Sequence, residues 1–277
     1  MLKIYLKFLL QKLLGFDNYL FVFSLFTINR HRLHFQDRDF YRFLHMIPEN
    51  GNILDIGSNI GIMAVPIAKR VSSGRVFCFE PIPLHIKILK KVIRHYQLNN
   101  IEVFETALGE KNGELTMIMP EFYKVKFQGF SHVVEKETDK IKGEIFTVPS
   151  QRLDDIRAIQ EIPKIDAIKI DVENFEYPVL LGAKDLLRRH KPLIYCELWD
   201  NEKRSLSINY LKNDLDYSAL VFVDHKWVDY LGQQVSNFLF VQGSVNQNLK
   251  SFPEIDIEAL NTIRTKSEIK SHIGLML

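Results

Sequence analysis

The amino-acid sequence predicts an α/β fold: a doubly wound, mostly parallel sheet of seven strands with helices on both faces, preceded by a helical extension. The chain has 277 residues, which suits one large α/β domain with an appendage. Its 46% hydrophobic and 25% charged residues are typical of a globular protein and exclude a disordered or fibrous one. From residue 51 onward, short apolar runs alternate with segments of helical period.

The alternation of elements sets the predicted topology, because strands separated by helices pair in parallel. The apolar runs predict strands over 52–56, 76–80, 101–105, 167–172, 193–198, 219–224 and 238–241. The segments between them predict helices over 62–71, 84–98, 177–190 and 206–215. Residues 106–154 break the rhythm with scattered glycines and are interpreted as an insertion of loops and small strands.

The first 47 residues differ from the rest of the chain. They hold 8 of the 20 phenylalanines and carry a net charge of +4, against −2 for the remainder. Apolar residues at steps of four and three predict one face of a helix flanked by lysines. These residues are Leu2, Leu6, Leu9, Leu13 and Phe16. The helix is interpreted either as packed on the core or on a second subunit, or as lying on an anionic membrane surface.

These contrasts predict three parts: an aromatic-rich helical extension over 1–47, an α/β domain over 48–245, and a tail over 246–277. The extension precedes the first predicted strand, so it is not expected to bind a cofactor.

Charge, cysteines and hydropathy narrow the class of protein. A net charge of +2 argues against a strongly cationic nucleic-acid binder. Cys78 and Cys196 lie in strand-like runs and are expected to be buried thiols in a reducing compartment. The apolar runs near the N-terminus are too short or too interrupted to span a bilayer of roughly 30 Å, and no cleavage site follows them. The expectation is a cytoplasmic protein, with peripheral membrane contact through residues 1–30 as an added hypothesis.

The strongest motif reads Asp-Ile-Gly-Ser-Asn-Ile-Gly over residues 55–61, between a predicted strand and a predicted helix. This context is typical of a nucleotide-type loop, whose glycines let the backbone approach a ligand closely. The glycine spacing of dinucleotide-binding loops is absent, which argues against a nicotinamide-dependent oxidoreductase. Asp55 ends the strand, where a carboxylate would repel a pyrophosphate and attract an ammonium group.

A second motif, Glu80-Pro81, ends the next predicted strand, 25 residues after Asp55. In related folds, an acidic residue about 20 residues after the glycine loop hydrogen-bonds the ribose hydroxyls, and the spacing here is close to that. A carboxylate can accept from two neighbouring hydroxyls at once. A ribose, an ammonium-bearing group and no phosphate together describe S-adenosylmethionine.

Three motifs in order, DIGSNIG, FEP and KIDVENFEYPVLLGA, give residues 50–200 a resemblance to the FkbM-type methyltransferases, within the class I S-adenosylmethionine-dependent superfamily. The resemblance implies a Rossmann-like seven-stranded sheet, S-adenosylmethionine as methyl donor, and O-methylation of a hydroxyl, often on sugars or secondary metabolites. It implies that Asp55, Gly57, Asn59 and Gly61 line the methionine part and that Glu80 holds the ribose. Ser58, Pro81 and Ala107 complete the expected cofactor-binding residues. Which residue of 105–109 meets adenine stays open.

The third motif, Lys169-Ile170-Asp171-Val172-Glu173, places its charged residues on one side of a strand by alternation. Ligands of open parallel sheets bind beyond the carboxyl ends of the strands, where Asp171 and Glu173 are expected. A sugar hydroxyl is a weak acid, so its attack on a methyl group needs a base, and a buried carboxylate with a raised pKa would serve. An ion pair that only orders the strand end is the alternative.

Two further hypotheses concern the same cleft. His132 lies in the insertion, which could cover the cleft, and is a third candidate base beside Asp171 and Glu173; an ordinary surface histidine is the alternative. Asp171 with Glu197 or Asp200 could instead bind Mg²⁺, as in metal-dependent O-methyltransferases, although no metal site is expected.

The sequence thus predicts an S-adenosylmethionine-dependent O-methyltransferase acting on a hydroxyl of a sugar, glycolipid or secondary metabolite. The alternatives are a Mg²⁺-dependent O-methyltransferase and a non-catalytic scaffold that binds S-adenosylmethionine.

Overall fold

A computed structural model describes residues 2–34, 38–135 and 142–243 of the chain. Its main sheet has eight strands, in the order β3-β2-β1-β9-β10-β13-β11-β12. The first five are parallel, while β13, β11 and β12 are antiparallel to their neighbours. The strands are β1 (Asn52–Ile56), β2 (Arg75–Phe79), β3 (Ile101–Phe104), β9 (Ala167–Ile170), β10 (Leu193–Glu197), β11 (Tyr217–Val223), β12 (Lys226–Asp229) and β13 (Asn237–Gln242). The predicted fold class, a doubly wound and mostly parallel Rossmann-like sheet, is confirmed.

Helices cover both faces of this sheet. They are α1 (Leu2–Leu14), α2 (Phe16–His34), α3 (Arg38–His45), α4 (Ala64–Arg70), α5 (Pro83–His95), α6 (Arg157–Gln160), α7 (Glu176–Leu181), α8 (Lys184–His190) and α9 (Glu202–Asn209). Strand residues alternate between the faces: Leu54 and Ile56 pack with α6 to α9, whereas Ile53 packs with α3 to α5. The segment predicted as one helix over 177–190 is two helices, α7 and α8.

The eighth strand, β12, was not predicted. It forms a hairpin with β11, and both residues of the turn, Asp224 and His225, have positive φ values of 48° and 64°. A turn with two positive φ values matches the twist of a hairpin, but Asn-Gly or Asp-Gly is its usual sequence signal. Asp-His is a weaker signal, so the turn was not recognised in the sequence.

The insertion forms a second sheet, and two of its strands, β5 and β8, are longer than the small strands that the sequence predicted. Its strands are β4 (Ala107–Leu108), β5 (Gly113–Phe122), β6 (Val125–Lys126), β7 (His132–Val133) and β8 (Gly143–Gln151). The sheet follows the order β4-β8-β5-β6, and β7 pairs with β5. Gly113 and Gly143 stand at the first positions of its two long strands. This sheet stands over the carboxyl ends of β1 and β2, so it is a wall of the site described below.

The N-terminal helices pack on the α/β layers. Gly15, with φ of +73°, separates α1 from α2 at the predicted break. Residues of α2 share a buried cluster with α4 and α5, and Phe43 of α3 stacks on Tyr195 of the main sheet with ring centroids 5.2 Å apart. The helix α1 differs, because Leu6 and Leu13 on its predicted apolar face are 53% and 71% exposed. The described residues therefore leave the outer face of α1 uncovered, contrary to the interpretation of that face as packed on the core, whereas α2 and α3 do pack on the core.

Within the described residues, no helix combines the length and apolar character that crossing a membrane requires. Cys78 and Cys196 are buried free thiols, as expected. The predicted tail over 246–277 lies outside the described residues, and the predicted boundary at residue 47 stays a prediction.

Candidate active site

A cavity of about 410 Å³ opens at the carboxyl ends of β1, β2 and β9, the edge at which ligands of doubly wound sheets bind. Small-molecule sites typically measure about 300–1,000 Å³. The walls come from four parts of the chain: the loops after β1, β2 and β9, the second sheet, the 3₁₀ turn at Gln128–Phe130, and the helices α1 and α2. Sequence motifs separated by more than a hundred residues therefore meet in one place.

The glycine loop after β1 depends on close backbone contact. Gly57 has φ of +76°, and a Cβ atom there would lie 1.9 Å from the carbonyl oxygen of Asp171. Only glycine permits this approach, so Gly57 brings the ends of β1 and β9 together. Gly61 has φ of +88° and packs against Leu89 of α5; unlike Gly57, Ser58 and Asn59, it does not line the cavity.

Glu80 lies in the cavity wall beside the glycine loop and is buried. Its Oε2 accepts a hydrogen bond from the backbone N–H of Asn59 at 2.9 Å, and its Oε1 accepts from the N–H of Ile82 at 2.9 Å. These bonds fix the carboxylate between β1 and β2, where the sequence placed it. Carboxylate oxygens have about four acceptor positions, so acceptor capacity is left for a ligand.

His85 is a site residue that the sequence analysis missed. It is 1% exposed and lines the cavity, its Nδ1 lies 3.3 Å from Oε1 of Glu80, and its Nε2 has no partner within the described residues. His85 lies three residues after the buried Ile82 and four before the buried Leu89, on the inward face of α5. This helical spacing was the signal that could have revealed it.

Asp55 does not line the cavity. Its carboxylate is fully buried, and its Oδ1 lies 3.3 Å from Nζ of Lys169. Burial would lower the pKa of Lys169, but the carboxylates of Asp55 and Asp171 outweigh it and raise that pKa above its ordinary value. The expected contact of Asp55 with a ligand ammonium group is therefore replaced by an internal ion pair, because Lys169 from the neighbouring strand supplies the cation.

The end of β9 brings carboxylates into the cavity. Asp171 lies 3.7 Å from Nζ of Lys169 and keeps 35% of its side chain exposed. Glu173, with φ of +53°, also lines the cavity. Burial first, then the charges of Asp171 and other nearby carboxylates, raises the pKa of Glu173 to about 9, so this group holds a proton at neutral pH.

Glu176 shapes the loop that carries these carboxylates. Its Oε1 accepts from the backbone N–H groups of Val172 at 3.2 Å and Asn174 at 3.1 Å. Burial raises the pKa of Glu176 to about 7, an effect that its own backbone hydrogen bonds oppose.

Pro81 and Ala107, which the sequence predicts to bind the cofactor, line the cavity beside Phe79 and Leu108. Among the residues 105–109 that the sequence left open for adenine, Thr106, Ala107 and Leu108 reach the cavity. This part of the wall is largely apolar, which suits a planar ring system.

Two candidates from the sequence lie elsewhere. His132 does not line the cavity, because it alternates in β7 with Val133, which does, and its Nδ1 lies 2.9 Å from the carbonyl oxygen of Phe130. Asp200 pairs with Arg204 at 3.0 Å. Over the described residues, no three histidine, cysteine or acidic side chains are grouped as a metal site requires, so the Mg²⁺ hypothesis finds no ligand set there.

The N-terminal helices contribute side chains to the cavity wall. Lys7 of α1 and Phe23 and Thr27 of α2 line the cavity together with Phe127 and Phe130 of the insertion. The sequence offered no reason to expect the first 47 residues to bind a cofactor, yet α1 and α2 pack beside the glycine loop and border the cavity.

Comparison with known proteins identifies the family of the chain. Residues 55–232 match the model of the methyltransferase FkbM domain, and the chain belongs to the FkbM methyltransferase family. It is 28% identical over 164 residues to the 2-O-methyltransferase NoeI of Sinorhizobium fredii, which covers 54% of this chain and 64% of that protein. It is 25% identical over 186 residues to the AMB antimetabolite synthetase AmbE of Pseudomonas aeruginosa, which covers 56% of this chain and 9% of that protein.

The chain thus spans less than two thirds of the length of the curated relatives it matches. Among solved structures, the FkbM methyltransferase of Methylobacillus flagellatus is 17% identical with a TM-score of 0.47, over 80% of this chain and 54% of that one.

The raised pKa of Glu173 predicts a pH-dependent stability. The folded state keeps this proton up to about pH 9, whereas the unfolded chain loses it near the ordinary value of 4.5. The stability from protonated Glu173 is thus complete below the ordinary pKa and declines as pH rises toward about 9. Glu173→Gln cannot ionise, so its melting temperature should fall less over this range than that of the wild type. Thermal melts at several pH values measure this, with Glu110→Gln on the surface as control; equal slopes in wild type and Glu173→Gln would contradict the assignment.

Proposed function

We propose that the chain is an S-adenosylmethionine-dependent O-methyltransferase. The observation that carries the proposal is the buried Glu80 carboxylate, fixed beside the glycine loop and lining a cavity that Asp171 and Glu173 also line. In the proposed complex, Glu80 accepts hydrogen bonds from the ribose hydroxyls, and Ala107 and Leu108 border the adenine. Gly57, Ser58 and Asn59 border the methionine part.

The residues of the cavity fit this cofactor by their chemistry. A fixed acceptor matches a diol, an apolar wall matches a purine, and the Asp171 carboxylate matches a cationic sulfonium. When bound, S-adenosylmethionine supplies a methyl group on a positively charged sulfur that serves as leaving group. The protein then has to align the acceptor oxygen with that methyl group and remove a proton from the oxygen.

Asp171 is the proposed base. Glu173 is protonated at neutral pH and His132 lies outside the cavity wall, so Asp171 is the candidate from the sequence that can accept a proton there. The ammonium of Lys169, 3.7 Å away, holds the carboxylate in position at the strand end. Protonated Glu173 can donate a hydrogen bond to the acceptor and orient it.

The acceptor class is proposed from the site and from the family. A base beside the methyl position is needed for a weakly acidic hydroxyl, and the relative NoeI is named a 2-O-methyltransferase. We therefore propose a hydroxyl of a sugar, glycolipid or secondary metabolite.

The ribose assignment predicts a loss of cofactor affinity in Glu80→Gln. Gln keeps the size of the side chain but replaces a charged acceptor by a neutral one, and hydrogen bonds to charged groups contribute about 1.5–3 kcal/mol. Calorimetry with S-adenosylmethionine should therefore show roughly 10- to 100-fold weaker binding. Glu105→Gln, near the cavity but outside its wall, is the matched control. Unchanged affinity in Glu80→Gln would refute the ribose assignment.

The base assignment predicts that Asp171→Asn binds S-adenosylmethionine normally and loses turnover by about 10²- to 10⁴-fold, the usual contribution of a general base. Transfer of label from methyl-labelled donor into glycan and lipid extracts, read by mass spectrometry, identifies the acceptor and measures the loss. Glu173→Gln should retain more turnover, because this group is already protonated. Full turnover in Asp171→Asn would transfer the role to another group.

We further propose that residues 1–30 contact a membrane surface that carries anionic lipid. Apolar side chains cover the outer face of α1 and continue onto α2, and these helices belong to the basic N-terminal segment. The exposed fractions are 64% for Tyr5, 53% for Leu6, 71% for Leu13 and 62% for Phe26. Since α1 and α2 also border the cavity, membrane contact would bring the site close to a lipid-linked acceptor.

This contact predicts co-sedimentation with liposomes that contain phosphatidylserine, and less of it with neutral liposomes. The double variant Leu6→Ser with Leu13→Ser should reduce binding, because each change removes exposed apolar surface. Leu231→Ser is the matched control, because Leu231 is 88% exposed and lies in the connection between β12 and β13, outside the N-terminal helices. Equal binding of all three proteins would contradict the proposal.

A further inference from the structure

Lys7 is a cation in the cavity wall that has no counter-ion among the residues the structure describes. The helix α1 turns its leucines outward and Lys7 inward, the reverse of what an apolar face packed on the core would give. The Nζ atom of Lys7 lies 4.3 Å from the ring centroid of Phe127 and 6.0 Å from that of Phe23. Within the described residues, Lys7 forms no ion pair with a carboxylate. Burial alone lowers the pKa of Lys7 from its ordinary value.

A half-buried ammonium without a partner is energetically costly, because burial removes its hydrating water. The contacts with the rings of Phe127 and Phe23 compensate only part of the lost hydration free energy. The other lysine of the cavity wall, Lys169, is paired with Asp55 and Asp171. Lys7 is therefore the lysine that is left to pair with an anionic group of a ligand.

The position of Lys7 indicates which part of a ligand it would meet. Phe127, under its ammonium, directly precedes Gln128, and the carbonyl oxygen of Gln128 accepts a hydrogen bond from Nδ2 of Asn59 at 3.4 Å. Asn59 belongs to the glycine loop, at which the proposed function puts the methionine part of the cofactor. Lys7 thus lines the cavity beside the turn that contacts the glycine loop, the part that the proposed function assigns to the methionine end.

Gln128 supplies a second, independent observation at this end. Its side chain is 5% exposed and lines the cavity, and its Oε1 has no hydrogen-bond partner among the described residues. A buried amide oxygen without a donor is unusual and calls for one from a ligand. Asp55, the residue first expected to meet an ammonium group, is engaged by Lys169.

We propose that Lys7 and Gln128 form the subsite for the amino-acid end of S-adenosylmethionine, with Lys7 binding the carboxylate and the amide of Gln128 accepting from the ammonium group. This inference rests on the proposed function and adds to it that two elements outside the cofactor motifs, α1 and the insertion, hold the donor. Binding of the donor would then stabilise the packing of α1 and of the insertion over the glycine loop.

The test compares two ligands that differ at the amino-acid end. S-adenosylhomocysteine has the carboxylate and ammonium groups, and 5′-methylthioadenosine lacks both. Calorimetry on the full chain should show that Lys7→Met weakens S-adenosylhomocysteine binding by about 10- to 100-fold, the range for a lost charged hydrogen bond. The same variant should leave 5′-methylthioadenosine binding unchanged. Lys7→Arg should restore most of the affinity, and Lys12→Met, an exposed lysine of the same helix, should behave as wild type.

The outcomes separate this inference from the proposed function. Equal S-adenosylhomocysteine affinity in Lys7→Met and wild type would overturn the subsite. Equal losses for both ligands would also overturn it, since Lys7 would then act on the shape of the cavity. A wild-type chain that binds neither ligand would refute the proposed function itself.

Discussion

The ammonium of Lys169 joins the ends of the two central strands, and the site is built around it. It lies 3.3 Å from Asp55 on β1, 2.9 Å from the carbonyl oxygen of Gly57 and 3.7 Å from Asp171 on its own strand end. A buried lysine is tolerated only with such partners, and removing one would leave an uncompensated charge. The same contacts require Gly57 to come so close to Asp171 that no side chain fits between them. The glycine loop and the acidic strand end are thus positioned by one set of interactions.

The remaining walls are added to this centre by elements that a minimal doubly wound sheet lacks. Glu80 is tied to the glycine loop through Asn59, and Asn59 is tied to the insertion through Gln128. The insertion in turn contacts α1, where the side chain of Gln11 and the backbone of Lys126 exchange hydrogen bonds of 3.0 and 3.2 Å. These hydrogen bonds, joined by the short segment 126–128, connect the end of β2 to the first helix, which explains how residues near the N-terminus come to border the cavity.

The central features could be predicted because they are local in sequence. Gly57, Glu80 and Asp171 each follow a short apolar strand, and parallel strands bring their carboxyl ends to one edge. The predictions that the structure does not support concern residues whose roles depend on contacts between distant parts of the chain. The pairing of Asp55 with Lys169 joins two strands that are 114 positions apart, so an acidic residue before a glycine loop was taken as a ligand contact. His132 and Val133 are neighbours in β7 and point to opposite faces of that strand. Only Val133 lines the cavity, and the sequence alone does not show which face of β7 that is. Lys7 shows its role only when α1 is folded over the insertion.

The measurement that tests the central claim most directly is a crystal structure of the chain with S-adenosylhomocysteine. The account predicts that the ribose hydroxyls lie within hydrogen-bonding distance of Glu80, about 2.5–3.0 Å. It also predicts that the sulfur faces the end of β9 near Asp171. A ligand bound outside this cavity, or one whose ribose makes no contact with Glu80, would contradict it.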